Sequence, residues 1–465
     1  MKTRILRCAL LVLTLHAACA AEHGGAAVSP SPAVPGLPTS DVYTVTVNGI
    51  SVWTERFRTH FDVGKFPEWF VEPHTRIQQE IHLAGFTCGG RVEVAVRVAR
   101  PFAHAAVRPG SRHISTRVTG STFTFTMAGP DNLVVAIDTL PPLFLFAGPP
   151  ATGTPARRGP GIHYFGPGVH HPGYITLRDG ESVYIAPGAI VYGGIRARGA
   201  RHIRVTGRGI LDGAGTFSSM VLVEDSHDVL FDGVMIRNGE GWTNTLVNCD
   251  SVRYTNARVL SFGPGCDGID PLNCRHVAIT GCFLRCTDDC IAVKAPHPGE
   301  NVNDVLVSGN TMIGYAFSDG ATIGFETNAD SVSNVTVRDC DVLLARGGSR
   351  VDGHSAFSII CDGPSVISNV VFENIRVEES ELKLFELNIT DGTKYGTGPP
   401  GHIENILVKD VAWTPGGPVI LRGFDDAHRV RNVTFENCTV AGKPLRDQGS
   451  SVMRVGGYVD NLIVR

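Results

Sequence analysis

A short apolar motif that recurs along the C-terminal two thirds of the chain is the feature that most limits its fold. The motif has the form polar, apolar, any residue, apolar, and its copies lie about 23 to 36 residues apart. The first apolar residues of the copies are Ile203, Val229, Val252, Val277, Val305, Val335, Val370, Ile406, Val433 and Leu462. A repeat of this period, with loops of variable length, is typical of a solenoid whose coils stack on one another.

The region between these copies has no amphipathic helical segment of useful length. Crossover helices, and with them a doubly wound or barrel fold, are therefore not expected. Many copies are followed by Asn, Gly or Asp and by a second short apolar strand, which gives successive coils one shared position. That position holds Cys282, Asn310, Cys340, Ile375 and Cys438. We predict an all-β chain whose residues 151–465 form a right-handed parallel β-helix, with these side chains stacked inside it.

Three different segments precede the repeat. Residues 1–20 combine a basic start, an apolar run and small residues at their end, which indicates a cleaved secretion signal. Lipid attachment at Cys19 is an alternative, although His16 stands where an aliphatic residue is expected. Residues 21–40 are rich in Ala, Gly, Pro and Ser and predict a linker. In residues 41–150, short β-branched and aromatic stretches alternate with turn residues, which predicts a small β-sandwich domain.

The composition narrows the class of partner. Apolar residues make up 43% of the chain and charged residues 18%. The net charge is −4, and the sequence contains no run of Lys and Arg residues. Nucleic acid is therefore not an expected partner. After the signal, no stretch reaches the ~18 to 20 apolar residues that a membrane span needs. We expect a protein that works outside the cytoplasm, secreted or periplasmic.

The cysteines could form disulfides or bind a metal ion. Two of the twelve lie in the signal, and five of the remaining ten fall in one short segment. These five are Cys266, Cys274, Cys282, Cys286 and Cys290. An oxidising compartment permits disulfides, but their connectivity does not follow from the sequence. The segment contains no close Cys-x-x-Cys pair, so we expect neither zinc nor any other metal or cofactor.

Three aspartates stand out as candidate catalytic residues. Asp267 precedes Asp288 by 21 residues, close to one coil, and Asp289 follows directly. The three carboxyl groups should therefore converge on one face of the solenoid. Neighbouring carboxyls raise one another's pKa, so that one stays protonated near neutral pH while another is ionised. Glycoside hydrolysis needs this division, although a single Asp in a β-helix is most often only a turn residue.

Two motifs give the chain a family resemblance. They are Asp267-Gly268-Ile269-Asp270 and Asp288-Asp289-Cys290-Ile291-Ala292-Val293-Lys294, supported by the segments 183–189 and 207–213. With these motifs, residues 160–465 resemble glycoside hydrolase family 28, the polygalacturonases, and same-clan relatives such as the family 49 dextranases and isopullulanase. The resemblance implies an inverting hydrolase in which Asp288 is the general acid. It also implies that Asp267 and Asp289 together hold and deprotonate the attacking water.

The chain departs from the polygalacturonase pattern at three places. Gly265 stands where these enzymes have Asn, and residues 318–324 replace a Gly-His-Gly motif. Ser358-Ile359-Ile360 falls where an Arg-Ile-Lys motif binds the uronate carboxylate. Burying that carboxylate without cationic partners is costly, so we expect altered uronate recognition and consider a neutral polysaccharide as the substrate. His354, on a loop, is a candidate replacement for the missing histidine.

Other residues near the aspartates are candidates for contacts with the saccharide. The predicted substrate-binding residues are Lys294, Asp319, Glu326 and Asp270. Each has a simpler interpretation: a lysine at a strand end is often only solvated, and Asp or Glu at such positions often serves turn geometry. Trp242 and Tyr395 can stack on sugar rings or can simply be packing residues.

Two other functions share this fold. A polysaccharide lyase would need calcium-binding carboxylates and a basic residue that removes a proton beside a uronate, and no arginine accompanies the aspartates. A glycan-binding protein without catalysis is compatible with the missing histidine, but the retained Asp-Asp-Cys motif disfavours it. The expected partner in every case is a polysaccharide or oligosaccharide, and the sequence leaves the oligomeric state open.

Overall fold

The computed structural model describes residues 27–59, 80–150, 159–215, 217–263, 265–315, 318–346, 355–381, 383–391, 395–414, 416–446 and 452–465. The predicted signal with Cys19 and the candidate His354 lie outside the described residues. Apart from one 3₁₀ turn at Gly110–Arg112, every regular element in the described ranges is a β-strand. None of these elements is a helix of a length and polarity suited to crossing a membrane.

Two sheets made from residues 28–148 pack face to face. The first sheet contains β1 (Val28–Pro30), β4 (Thr54–Arg58), β5 (Glu80–Cys88), β7 (Ala105–Arg108), β10 (Asp131–Ile137) and β11 (Leu143–Gly148). The second contains β2 (Tyr43–Val47), β3 (Ile50–Val52), β6 (Val92–Val98), β8 (Thr116–Thr119) and β9 (Thr122–Met127). Strand β9 alternates between half-buried threonines and buried Phe123, Phe125 and Met127, as a strand with one face in a core does. These buried residues and their partners on the first sheet form one apolar core.

The segment that we predicted to be a linker is ordered from Val28 onwards. Residues 28–30 form strand β1, which pairs antiparallel with β5 so that Val28 lies opposite Cys88. Val34 is buried against Ile190 and Ile210 of the second domain. The prediction of a linker over residues 21–40 is therefore wrong for residues 28–40, because its two valines contribute apolar surface to the fold.

The strands between Ile162 and Val464 form a single solenoid with three long sheets, parallel except for one short antiparallel pair. We call the sheet that carries the candidate site the cleft sheet. It contains β18 (Val221–Glu224), β21 (Asn244–Val247), β24 (Ile269–Leu272), β27 (Ile291–Ala295), β30 (Ala321–Thr327), β33 (Phe357–Cys361), β35 (Phe385–Ile389), β37 (Val419–Arg422) and β41 (Met453–Val455).

The interface sheet faces the sandwich. It contains β17 (Ile210–Asp212), β20 (Met235–Arg237), β23 (Arg258–Leu260), β26 (Phe283–Cys286), β29 (Thr311–Gly314), β32 (Asp341–Ala345) and β39 (Thr439–Val440). β40 (Lys443–Pro444) pairs antiparallel with β39. β13 (Gly168–Leu177) and β15 (Ala189–Arg198) start the solenoid, and β15 pairs with both β17 and β18.

The outer sheet contains the predicted repeat. Its strands are β12 (Ile162–Phe165), β14 (Ser182–Ile185), β16 (Arg201–Gly207), β19 (His227–Asp232), β22 (Asp250–Thr255), β25 (Arg275–Thr280), β28 (Val302–Ser308), β31 (Ser331–Arg338), β34 (Val366–Val377), β36 (His402–Trp413), β38 (Val430–Glu436) and β42 (Val459–Val464). All ten motif residues from Ile203 to Leu462 lie side by side in the strand register. The fold class is confirmed: the chain is all-β, with a right-handed parallel β-helix that follows a small β-sandwich.

The predicted interior positions are buried. Cys282, Asn310, Cys340, Ile375 and Cys438 all lie in the core of the β-helix. The Asn310 side chain bridges two coils, since its Nδ2 donates to Ile279 O at 2.9 Å and its Oδ1 accepts from Cys282 N at 2.8 Å. The ten cysteines from Cys88 to Cys438 are buried and free, so the described residues hold no disulfide.

The sandwich packs on the interface sheet through an apolar cluster and buried ion pairs. Aromatic residues of both domains meet there, with the Phe144 and Phe283 rings 5.0 Å apart. At one edge of this cluster, Arg237 Nε lies 2.6 Å from Asp212 Oδ2, and its Nη1 lies 2.9 Å from Glu55 Oε2 of the sandwich. The two domains are therefore joined by both apolar contacts and buried ion pairs.

Candidate active site

Each coil enters the cleft sheet through a turn, and the residues two positions before the strands stack in one column. We call this the corner column; its residues are Trp242, Asp267, Asp289, Asp319, Ser355 and Lys383. Backbone hydrogen bonds fix its register: Gly268 N donates to Asp289 O at 2.8 Å, and Cys290 N donates to Asp319 O at 2.9 Å. Neighbouring members are thus about 4.8 Å apart along the solenoid.

Gly268 permits the close approach of two coils at this corner. A Cβ at position 268 would lie 2.4 Å from Cys290 O and 2.9 Å from the Cys286 sulfur. Any larger residue would push the turn of Asp267 away from the turn of Asp289. The glycine after Asp267 is therefore part of what brings the carboxyl groups together.

The structure brings Asp267, Asp288 and Asp289 into one cluster. One carboxyl oxygen of each lies within 4.8 Å of the others. Asp267 and Asp289 are buried, whereas Asp288 is half-buried and so is the one with the more open path to a saccharide. Asp289 is held by the next coil, because its Oδ1 accepts a hydrogen bond from Asp319 N at 2.8 Å.

The three carboxyl groups differ in their electrostatic surroundings. Burial, followed by repulsion from Asp267, raises the pKa of Asp288 well above its ordinary value. Burial, followed by the Asp319 and Asp267 carboxyls, does the same for the pKa of Asp289. Burial also raises the pKa of Asp267, but the Lys294 ammonium opposes this rise. Asp267 is therefore the group most favoured to ionise, and Asp288 is one that favours its protonated form.

Lys294 lies at the centre of the site. Its Nζ is 3.7 Å from Asp267 Oδ2, donates to Phe325 O at 3.1 Å and lies 4.8 Å from the centre of the Trp242 ring. Burial lowers the pKa of Lys294, but the carboxylates of Asp267 and Glu326 outweigh this effect and raise it above its ordinary value. The ammonium is thus a fixed positive charge beside Asp267, and a metal cation in the same place would face its repulsion.

Asp270 does not reach the surface on which a saccharide would lie. Asp270 is 0% exposed, and neither of its carboxyl oxygens has a hydrogen-bond partner among the described residues. Burial, followed by the charge of Asp267, raises the pKa of Asp270 well above its ordinary value, which favours a neutral carboxyl group at this position. This placement favours a supporting role over the direct substrate contact that we expected.

Asp319 ties the site to the following coil. Its carboxyl oxygens accept hydrogen bonds from Ser355 N and from the Ser358 hydroxyl. Burial raises the pKa of Asp319 to about 7, although these two hydrogen bonds oppose the rise. Because both oxygens are engaged and the side chain is buried, Asp319 holds Asp289 and the next turn in place rather than facing a ligand.

Glu326 and the aromatic residues border the cleft more openly. Glu326 is half-buried, and its Oε2 accepts no hydrogen bond from the described residues. Burial raises the pKa of Glu326, whereas the nearby Lys294 lowers it. The ring of Tyr395, which is 44% exposed, lies 5.7 Å from that of Phe325. The rings of Tyr395 and Trp242 offer apolar faces on which sugar rings can stack, whereas the unpaired Glu326 Oε2 is itself buried.

Neutral side chains occupy the positions at which the Arg-Ile-Lys motif of polygalacturonases would place its two cationic residues. The Ser358 hydroxyl donates to Asp319, and Ile360 is buried. Lys383, at the end of the corner column, pairs with Glu386. The sequence analysis overlooked Lys383 and Ser355. They could have been found by counting two residues back from each strand of the cleft sheet.

Comparisons with known proteins identify the family of the chain. A family model described as "Glycosyl hydrolases family 28" matches residues 205–453, which include all three aspartates. The chain is 26% identical over 207 residues to the endo-polygalacturonase of Pectobacterium carotovorum subsp. carotovorum, which covers 44% of this chain and 45% of that enzyme. The chain spans about half the length of the curated relatives that it matches.

Solved structures extend the likeness to the whole fold. Dex49A from Penicillium minioluteum aligns over 94% of this chain and 96% of its own, with a TM-score of 0.64 and 15% identity. A hyperthermoactive exopolygalacturonase from Thermotoga maritima aligns over 65% of this chain and 83% of its own, with a TM-score of 0.53 and 17% identity. At these identities the structural likeness concerns the fold alone.

Proposed function

This chain belongs to family 28 of the glycosyl hydrolases, and on that basis we propose that it is an extracellular inverting hydrolase that cleaves a polysaccharide. The resemblance inferred from the aspartate motifs is confirmed by the family match. The observation that carries the proposal is the cluster of Asp267, Asp288 and Asp289 beside Lys294. In this proposal the enzyme is polygalacturonase-like but recognises its uronate units differently.

The proposed mechanism assigns one role to each carboxyl group. Asp288, half-exposed and protonated, donates a proton to the oxygen of the leaving sugar. Asp267, kept ionised by Lys294, takes the proton of the attacking water, and Asp289 holds that water with it. Asp319 and Asp270 position these groups from behind. General acid–base catalysis of this kind contributes roughly 10² to 10⁴-fold to the rate.

The charges in the cleft support altered uronate recognition. Lys294 lies 3.7 Å from Asp267, and Lys383 pairs with Glu386, so both lysines of the corner region already face carboxylates of the chain. A uronate carboxylate would have to compete with those groups. This favours, as a second candidate, a dextranase-like or isopullulanase-like hydrolase of a neutral α-glucan, whose rings would stack on Trp242 and Tyr395.

The lyase alternative is disfavoured by the state of Lys294. A lyase base must be neutral to remove a proton, whereas the surrounding carboxylates raise the pKa of Lys294 above its ordinary value. Unsaturated products that absorb in the near ultraviolet would nevertheless identify a lyase at once.

The function is tested by measuring reducing-sugar release from a panel of polymers with the wild type and Asp288→Asn. The panel contains polygalacturonate, rhamnogalacturonan, dextran, pullulan and α-1,3-glucan. We expect the wild type to release reducing sugar from one polymer and Asp288→Asn to release none. The polymer that is cleaved identifies the substrate class. Glycan binding without release, by a wild type with the circular dichroism of a folded β-protein, would instead support a binding protein.

The stereochemical outcome needs its own measurement. The carboxyl oxygens lie within 4.8 Å of one another, which is nearer to the about 5 to 5.5 Å of retaining enzymes than to the about 6.5 to 9.5 Å of inverting ones. The proposal of inversion therefore depends on the family and on the third carboxyl group, for which a retaining scheme has no role. We expect the first product of an α-linked polymer, followed by proton NMR, to be the β-anomer. An α-anomer would contradict the proposed role of Asp267.

Replacing Lys294 with methionine is expected to move the acidic limb of the pH–activity profile to higher pH. Lys294 lowers the pKa of Asp267, so its loss leaves the effect of burial unopposed and the pKa of Asp267 rises. Since ionised Asp267 is needed, activity is then lost at a higher pH on acidification. The profile of kcat/KM measures this shift, with Lys409→Met on the outer sheet as the control. An acidic limb that stays in place would show that Asp267 is not the base.

A further inference from the structure

A second cluster of charged side chains lies between the two domains, away from the corner column. Arg258, on β23 of the interface sheet, is 5% exposed. Its Nε donates to Asn132 Oδ1 at 3.3 Å, its Nη1 donates to Gly233 O at 3.1 Å, and its guanidinium lies 5.6 Å from the centre of the Phe146 ring. No carboxylate of the described residues lies within ion-pair distance of Arg258. It is therefore a buried cation held only by neutral groups.

Arg208 brings a second guanidinium to the same place. Its Nη1 lies 3.1 Å from Asp232 Oδ2, but its Nε is buried and has no hydrogen-bond partner among the described residues. A Cβ on Gly148 would be 3.3 Å from Arg208 Nε and 3.5 Å from Arg258 Nη2, so the two guanidinium edges converge beside this glycine of the sandwich. Of these two neighbouring cations, only Arg208 is paired with a carboxylate.

A cavity of about 70 Å³ adjoins these edges. Both arginines line it, together with Gly148, Trp53 and Met235. Glu55 also lines the cavity, but its Oε2 already lies 2.9 Å from Arg237 Nη1. A cavity of about 10 to 15 Å³ on this scale already holds one water molecule, so this cavity has room for a monoatomic anion with a water beside it.

We propose that this cavity binds a small inorganic anion such as chloride, which bridges the Arg208 and Arg258 guanidinium groups and stabilises the contact between the sandwich and the β-helix. A buried cation without a counter-charge is costly, and an anion supplies that charge where neutral water does not. Burial lowers the pKa of Arg258 to about 10, so the group still carries its charge at neutral pH. Because Gly148, Asn132 and Phe146 belong to the sandwich, the site forms only when the domains are packed together.

The direct test is a crystal of the full chain grown in sodium bromide and measured at the bromine absorption edge. We expect an anomalous peak within about 3.5 Å of both Arg258 Nη2 and Arg208 Nε, the range of hydrogen bonds to a halide. Cavity density without an anomalous signal, in a crystal that shows bromide at other sites, would overturn the proposal.

A solution test asks whether the anion stabilises the protein. Thermal unfolding is followed at constant ionic strength while chloride replaces gluconate, which is too large for the cavity. We expect a saturable rise of about 2 °C or more for the wild type and for the exposed control Arg253→Met, and none for Arg258→Met. Equal chloride dependence in the wild type and Arg258→Met would overturn the proposal. If Arg258→Met does not fold, the proposal is tested by the chloride response of the wild type together with the bromide crystal.

Discussion

Replacing Asp288 with asparagine is expected to lower kcat by about 10³-fold or more on the natural polymer, with little change in KM. The amide has nearly the same shape as the carboxyl group but has no acidic proton to give to the leaving oxygen, so only transition-state stabilisation is lost. Steady-state rates on the polymer identified by the panel measure the effect.

A substrate with an activated leaving group distinguishes the role of the acid from that of the base. An aryl glycoside whose phenolate leaves without protonation should restore much of the rate of Asp288→Asn but none of the rate of Asp267→Asn. Asp304→Asn is the matched control, since Asp304 is half-exposed on the outer sheet, where Asn also tolerates its positive φ. If Asp288→Asn does not recover on the aryl glycoside, Asp288 is not the acid; if Asp267→Asn recovers, Asp267 is not the base.

Replacing Arg237 with methionine is expected to lower the free energy of unfolding by about 3 to 5 kcal/mol. Arg237 is buried between Asp212 Oδ2 at 2.6 Å and Glu55 Oε2 at 2.9 Å, and its guanidinium lies 4.5 Å from the Phe57 ring centre. Removing it leaves two buried carboxylates without a cation, whereas methionine preserves much of the apolar volume. Chemical denaturation followed by tryptophan fluorescence gives the difference.

Two further variants make the cause of this loss visible. Arg253→Met removes an arginine that is 54% exposed beside Asp228, and its loss should change the free energy of unfolding by less than about 1 kcal/mol. Adding Glu55→Gln and Asp212→Asn to Arg237→Met should recover part of the stability, because the uncompensated charges are gone. If the triple variant is no more stable than Arg237→Met, packing rather than charge dominates at this interface.

The solenoid could be predicted from the sequence because each copy of the repeat corresponds to one coil of the structure. Each motif residue from Ile203 to Leu462 is an inward side chain of one coil, and an interior of stacked coils accepts little but apolar groups. The same logic placed Cys282 and Asn310 inside. The segment before Val42 was misjudged, because two valines among prolines give no periodicity, and only the facing strand β5 and Ile190 show what they pack against.

The candidate site was predictable where the coils are short. One short coil separates the two motifs, and the spacing of Asp267 and Asp288 brings the motifs together, although the strand register pairs Ile269 with Ile291 and so stacks Asp289, rather than Asp288, on Asp267. From Asp289 onwards, loops of different length separate the members of the corner column, and spacing no longer shows which residues stack. For this reason, the tie between Asp319 and Ser358, the pairing of Lys383 and the burial of Asp270 became visible only in three dimensions.

The corner column also bears on how such a protein can change during evolution. Each coil contributes one side chain to the line from Trp242 to Lys383, and the backbone hydrogen bonds that set the line do not depend on which side chain it is. A point mutation at Ser355 or Lys383 can therefore change one side chain of the column while the aspartates two or more coils away keep their backbone register. A lineage can in this way vary the wall of the cleft in single steps, without passing through an ancestor that has lost the aspartate cluster.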